Sequence, residues 1–186
     1  MDLNFYFKNS HAIEVDVGHP SEVDEIFDSI SYNKGASVIR MLHDFIGREA
    51  FKNGMKHYLT THSYQNTQTE DLWASLETAS GKPVGKVMTT WTGQMGFPLI
   101  KVDSRLDGNT RILTLTQEKF NADGSSTAGA LWNVPIKILK SNKEVIEVLM
   151  DQKELIVKLE DVQEQDWFKV NPDSFGIFDN IYKKCF

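Results

Sequence analysis

The residues Trp91 to Ile100, WTGQMGFPLI, divide the chain into two kinds of pattern. Before Gly93, apolar residues recur three and four apart, the spacing that lays a stripe along one face of a helix. After Pro98 they alternate or come in short runs closed by turns, which is the spacing of half-buried strands. Gly93, Gly96 and Pro98 punctuate the change. The expectation is an α+β chain, with residues 1–97 helical and residues 98–186 built from strands.

Working outward on the helical side, PVGKVMTTWTGQMG gives a helix with Val84, Val87, Met88 and Trp91 facing inward. NTQTEDLWASLETASGKP gives another, with Thr67 and Glu70 suggesting a capping box, Leu72, Trp73 and Leu76 as the stripe, and Gly81 with Pro83 as the stop. Arg48 to Thr61 is expected to bury Phe51, Met55, Tyr58 and Leu59. Lys34 to Ile46 carries Val38, Leu42, Phe45 and Ile46 on one face and stops at Gly47. HPSEVDEIF, with Ser21 and Asp24 as a box-like start, predicts a short first helix. Such short connections make sequence neighbours packing neighbours, so about five helices should form one array.

On the other side, strands are expected at LIKVDSRL, TRILTLTQEKF, WNVPIKILK, EVIEVLM, ELIVKLE and DWFKVN, with a further short one at GIF. LDGNT, NADGSS, KSNKE and MDQKE supply the turns. Six or seven short antiparallel strands at this spacing predict a small β-sandwich. It would be held by packing alone, because Cys185 is the single cysteine in the chain.

Composition narrows the function. The 186 residues carry a formal charge of −6 and no basic block, which argues against a nucleic-acid partner. An unpaired cysteine favours a reducing, cytoplasmic setting over a secreted one. The N-terminal run LNFYF has neither the basic flank nor the length of a signal peptide, and no segment approaches the apolar length of a membrane span.

Most catalytic signatures are missing. No H-E-x-x-H presents two imidazoles and a general-base glutamate to a metal. His11, His19, His43, His57 and His62 are scattered; His57 and His62, five apart, would point away from each other on a helix. GKPVGK lacks the preceding strand and the spacing of a phosphate loop, and no G-x-S-x-G elbow occurs. Cys185, next to the C-terminus, is a poor nucleophile candidate. Tyr32, in the segment FDSISYNKGASVIRMLHDFIG, is left. Two readings of it stand side by side. It is a helix-start tyrosine that packs its ring and wets its hydroxyl, or its hydroxyl donates a hydrogen bond to an oxyanion.

SEVDEIFDSISYNKGASVIRMLHDFIG, TEDLWASLETASGKPV and WTGQMGFPLI together resemble, in the same order, the puromycin-sensitive type of zinc aminopeptidase of the gluzincin superfamily. The resemblance runs from about Ser10 into the strands beyond Pro98. It implies that residues 1–97 are the helical end of a thermolysin-like catalytic domain and residues 98–186 the β-sandwich that follows. It implies that Tyr32, the tyrosine of the S-Y-x-K-G-A segment, stabilises the tetrahedral intermediate opposite the zinc. Phe27 matches the residue that lines the pocket for the substrate's N-terminal side chain. Zinc and peptide substrates come with the full-length family.

The departures are as informative. The zinc ligands and the G-x-M-E-N segment that anchors the substrate's amine in that family should lie upstream of Ser10, and this sequence contains neither. MDLNFYFKN does not follow the family pattern, and GIFDNIYKKCF begins like the segment after the sandwich and then stops. The expectation is an internal piece of an aminopeptidase that holds no metal of its own and is inactive alone, with the catalytic half as its natural partner. The alternative is a non-catalytic, truncated paralogue that binds a peptide or a protein.

Overall fold

Val38, Met41, Leu42 and Ile46 follow helical spacing and are all buried, and they form the inner face of helix α1 (Gly35–Ile46). The computed structural model describes residues 10–20, 27–125 and 129–182. Helix α1 ends at Gly47, whose φ of +86° suits a residue without a Cβ and turns the chain directly into α2 (Arg48–Thr61). Helix α3 (Thr69–Ser80) and helix α4 (Val84–Thr92) follow, and Val84, Val87, Met88 and Trp91 of α4 are wholly buried. These are the four α-helices among the described residues. The helix expected at HPSEVDEIF, with Ser21 and Asp24, falls largely on residues outside those described.

Three local expectations need correction. Leu59 is not in the core: it is 62% exposed, and α2 buries only Gly54 fully. A Cβ on Gly54 would lie 2.8 Å from Leu76 Cδ2 and 2.9 Å from Leu76 Cα, so α2 rests on α3 through backbone rather than through an apolar stripe. The capping box of α3 closes one residue later than expected, with the Asp71 carboxylate accepting the Gln68 N–H at 2.8 Å. Finally, α1 does not start cleanly at Lys34. A π-helical turn, Ile30–Lys34, runs straight into it.

The strand half is a separate compact unit, divided from the helical one between Met95 and Gly96. Strands β1 (Pro98–Asp107) and β2 (Thr110–Lys119) form a hairpin paired from Pro98↔Lys119 to Asp107↔Thr110. Gly108, at φ +60°, supplies the left-handed residue its tight turn needs. With β5 (Glu154–Leu159) and β7 (Asp179–Tyr182) they make a four-stranded sheet in the order β5-β2-β1-β7. Strands β3 (Val134–Lys140), β4 (Val145–Met150) and β6 (Phe168–Val170) make a three-stranded sheet in the order β4-β3-β6. Alternation places Ile100, Val102, Leu113 and Leu115 of one sheet and Val134, Ile136 and Ile138 of the other in the core. The last strand departs from expectation twice: it begins at Asp179, after GIF, and it pairs with β1 in parallel, Leu99↔Asp179 to Val102↔Tyr182. The chain is therefore α+β, with two small, mainly antiparallel sheets.

Candidate functional site

The π-helical turn carries Tyr32, and its geometry begins with Asp28. One carboxylate oxygen of Asp28 accepts the Ser31 N–H at 2.8 Å, and the Asp28 carbonyl accepts the Tyr32 N–H at 3.2 Å. A short acceptor side chain just ahead of the free N–H groups of a helix is the usual way to start one. Here the next turn is wider than α, a geometry that is rare and often sits at functional positions. It closes when the Gly35 N–H donates to the Tyr32 carbonyl.

Two further bonds hold the turn from outside. Lys34 Nζ donates to the Gln94 carbonyl, beyond the end of α4, at 2.6 Å. His11 Nε2 lies 2.8 Å from the second Asp28 oxygen, and His11 Nδ1 faces the carbonyl of Ala12 at 2.5 Å. The stretch carrying His11 is tied down in turn where the Glu14 N–H donates to the Thr92 carbonyl at 3.0 Å. The Ala12 carbonyl, and then the Asp28 carboxylate, raise the pKa of His11 above its ordinary value, because both favour a ring protonated on both nitrogens. The Ser31 N–H, and after it His11, hold the Asp28 carboxyl below the usual carboxylate range.

The two residues singled out from the sequence come together here. Phe27 is 63% exposed and Tyr32 62% exposed, with ring centroids 6.2 Å apart and planes tilted by 36°. The pair offers solvent an apolar ring beside a phenol, a combination suited to an apolar side chain and a nearby polar oxygen. His11 and Asp28 escaped the sequence reading. They are 17 residues apart, and nothing in local spacing links them. Lys34 was read only as the start of the helix, whereas its ammonium anchors the turn to the Gln94 carbonyl.

Residues 5–91 match the Peptidase family M1 domain. Similarity extends past that match into the sheets. The puromycin-sensitive aminopeptidase of Caenorhabditis elegans is 41% identical over 175 residues, covering 92% of this chain and 18% of that protein. Aminopeptidase M1-B of Oryza sativa subsp. japonica is 45% identical over 183 residues, covering 91% of this chain and 20% of that protein. The chain is similar to M1 aminopeptidases over most of its own length. A third match, tricorn protease-interacting factor F2 of Thermoplasma volcanium, is 40% identical over 175 residues, covering 94% of this chain and 21% of that protein. The chain thus spans about a fifth of the length of the curated relatives it matches.

Family M1 brings zinc with it, and the residues described here do not fit that ion. Among them no three His, Cys, Asp or Glu side chains converge. The His11–Asp28 pair has both ring nitrogens turned toward oxygen atoms within the protein. No helix among the described residues is long and apolar enough to cross a membrane.

Proposed function

We propose that this chain is the part of a peptide-cleaving aminopeptidase that supplies its oxyanion-holding tyrosine. One observation carries the reading: Tyr32 is exposed on a turn braced by Asp28 and Lys34, with the Phe27 ring beside it. In acyl transfer the carbonyl oxygen gains negative charge, and a hydroxyl already held at that position stabilises the charge without reorganising. Tyr32 takes that role, and Phe27 contacts the side chain of the residue being removed. Residues 1–97 are assigned to the helical end of the catalytic domain and residues 98–186 to a following β-sandwich, in a protein of the cytoplasm. Alone, the chain does not hydrolyse peptides, since its sequence has neither the H-E-x-x-H that would hold the metal nor the G-x-M-E-N that would anchor the substrate's amine.

The test uses this chain in two settings. Purified with added zinc, it should leave an aminoacyl fluorogenic substrate uncleaved, no faster than Tyr32→Phe. Grafted in place of the matching segment of the rice or nematode relative, it should support turnover, and Tyr32→Phe in the graft should cut kcat by about two to three orders of magnitude. Phe27→Ala should act on KM and side-chain preference more than on kcat. A graft that turns over equally well with Tyr32→Phe removes the proposed role.

A second reading, a non-catalytic peptide-binding module, draws on the same exposed Phe27 and Tyr32 rings. It expects the chain alone to bind N-terminal peptides without turnover, with the affinity lost in Phe27→Ala.

A further inference from the structure

His11 stands between two oxygen acceptors, the Asp28 carboxylate at 2.8 Å and the Ala12 carbonyl at 2.5 Å. A neutral imidazole has one N–H and can donate to only one of them. The other ring nitrogen would then set a lone pair against an oxygen lone pair. Only the imidazolium makes both contacts hydrogen bonds. The other Asp28 oxygen accepts the Ser31 N–H at 2.8 Å, one residue before Tyr32. His11, Asp28, Ser31 and Tyr32 are therefore linked through a single carboxylate.

From this geometry we propose that His11 is a positioning residue for Tyr32, and that its protonation closes a clamp through Asp28 and Ser31 which sets the turn carrying the phenol. When the ring loses its proton, the clamp keeps one bond where it had two, Asp28 loses its charged partner, and the Ser31–Tyr32 step is held less tightly. Among the described residues, the charged groups acting on the ring are Asp28, which favours the imidazolium, and Lys34, which opposes it. The Lys34 ammonium is held at the Gln94 carbonyl, at the opposite end of the turn. The balance supports the geometry, since the two oxygen acceptors outweigh Lys34 and the imidazole pKa is raised. The consequence for catalysis rests on the reading of Tyr32 as an oxyanion donor; the clamp itself does not.

The test is a pH titration of the labelled full chain by nuclear magnetic resonance, following the His11 ring, the Ser31 amide and the Tyr32 ring. The Ser31 and Tyr32 signals should shift with the same midpoint as His11, above the ordinary 6.5. Asp28→Asn should lower the His11 midpoint and uncouple Tyr32 from it. His11→Gln, which keeps a donor but cannot titrate, should abolish the shift while leaving the amides of α1 and α4 in place, which shows that the fold survives. Ser31 and Tyr32 signals that stay flat through the His11 titration, or a His11 midpoint unmoved by Asp28→Asn, overturn the clamp. Because these signals are read without substrate, a failed clamp is told apart from a failed oxyanion role, which only the grafted enzyme reports.

Discussion

Gln117 ties two segments outside the strands to β2. It is buried, and its amide donates to the Trp132 carbonyl at 3.0 Å and to the Gln152 carbonyl at 2.8 Å, while its oxygen accepts the Trp132 N–H at 2.9 Å. Trp132 and Gln152 lie outside the ladder pairs of the two sheets, so one side chain supplies hydrogen bonds that no strand provides. Gln117→Leu keeps the volume but removes three interior hydrogen bonds, each worth about 1–3 kcal/mol where a group is left unmade. Part of that returns as apolar burial, so a net loss of about 2–4 kcal/mol is expected, read as a lower urea midpoint. A loss under about 1 kcal/mol would mean that water reaches these groups. The His11–Asp28 pair is a smaller, pH-dependent contribution. The folded pKa of His11 lies above the ordinary 6.5, so its stabilisation is complete below 6.5 and fades as pH rises through the folded value. That of Asp28 lies below the ordinary 3.8, so its share is present above 3.8 and fades as pH falls through the folded value. The pair therefore contributes most between 3.8 and 6.5. His11→Ala should cost about 0.2–1 kcal/mol there, the range for partly exposed ion pairs, and less well above 6.5. Urea unfolding at two pH values decides it, and an equal cost at both would assign the effect to packing.

Among the elements, the contact of α2 with α3 depends on a missing side chain. The Cβ of Gly54→Ala would fall 2.9 Å from the Leu76 Cα, and backbone cannot yield as a side-chain tip can. The gain in helix propensity is about 1 kcal/mol at most, whereas forcing an atom into a closed contact costs about 1–3 kcal/mol. The substitution should therefore destabilise, in spite of being a better helix former. A rise in melting temperature would show that the two helices separate without strain. The same contact explains why Leu59 was misread. The face of α2 that meets its neighbour is set by Gly54, and Leu59, five residues on, lies about 140° round the helix from it, so this apolar residue stays in solvent. In α1, α3 and α4 the stripe itself is buried, so those helices are legible in the sequence, with the capping box of α3 displaced by one residue. The strands were equally legible where alternation is strong, as in β3. The parallel register of β7 was not, because its partner β1 lies some eighty residues earlier and a short strand carries no mark of direction. At the site, Tyr32 stands out from the residues alone, while Phe27 and the role opposite the zinc come through family resemblance. The π-helical turn and His11 were not legible, because both depend on Asp28 serving acceptor roles at two distances along the chain.

For the whole molecule, each of the two units holds its own core. In the strand unit Ile100, Val102, Leu113, Leu115, Trp132, Val134, Ile136, Ile138 and Met150 are buried, and all of them lie between Gly96 and Phe186. Seven strands in two sheets are enough to close a core of that kind, and a domain of this size folds alone in many proteins. Residues 96–186 expressed by themselves are therefore expected to fold. Two tryptophans report on it: Trp132, which is buried, and Trp167, which is exposed. In a Trp167→Phe version of the isolated unit, Trp132 is the single indole left, because Trp73 and Trp91 belong to the helical unit. Its emission should be blue-shifted and should move to the red in one cooperative step with urea. Red emission in buffer, or a gradual transition, would mean that the strand unit needs the helical one to complete its core. The result also bears on Tyr32. The bonds described above that hold the turn, from His11, Asp28, Ser31, Tyr32, Lys34 and Gln94, all lie between Met1 and Met95. If the strand unit is self-sufficient, ending the chain at residue 95 should therefore leave the pH-dependent shifts of the Ser31 amide and Tyr32 ring signals unchanged.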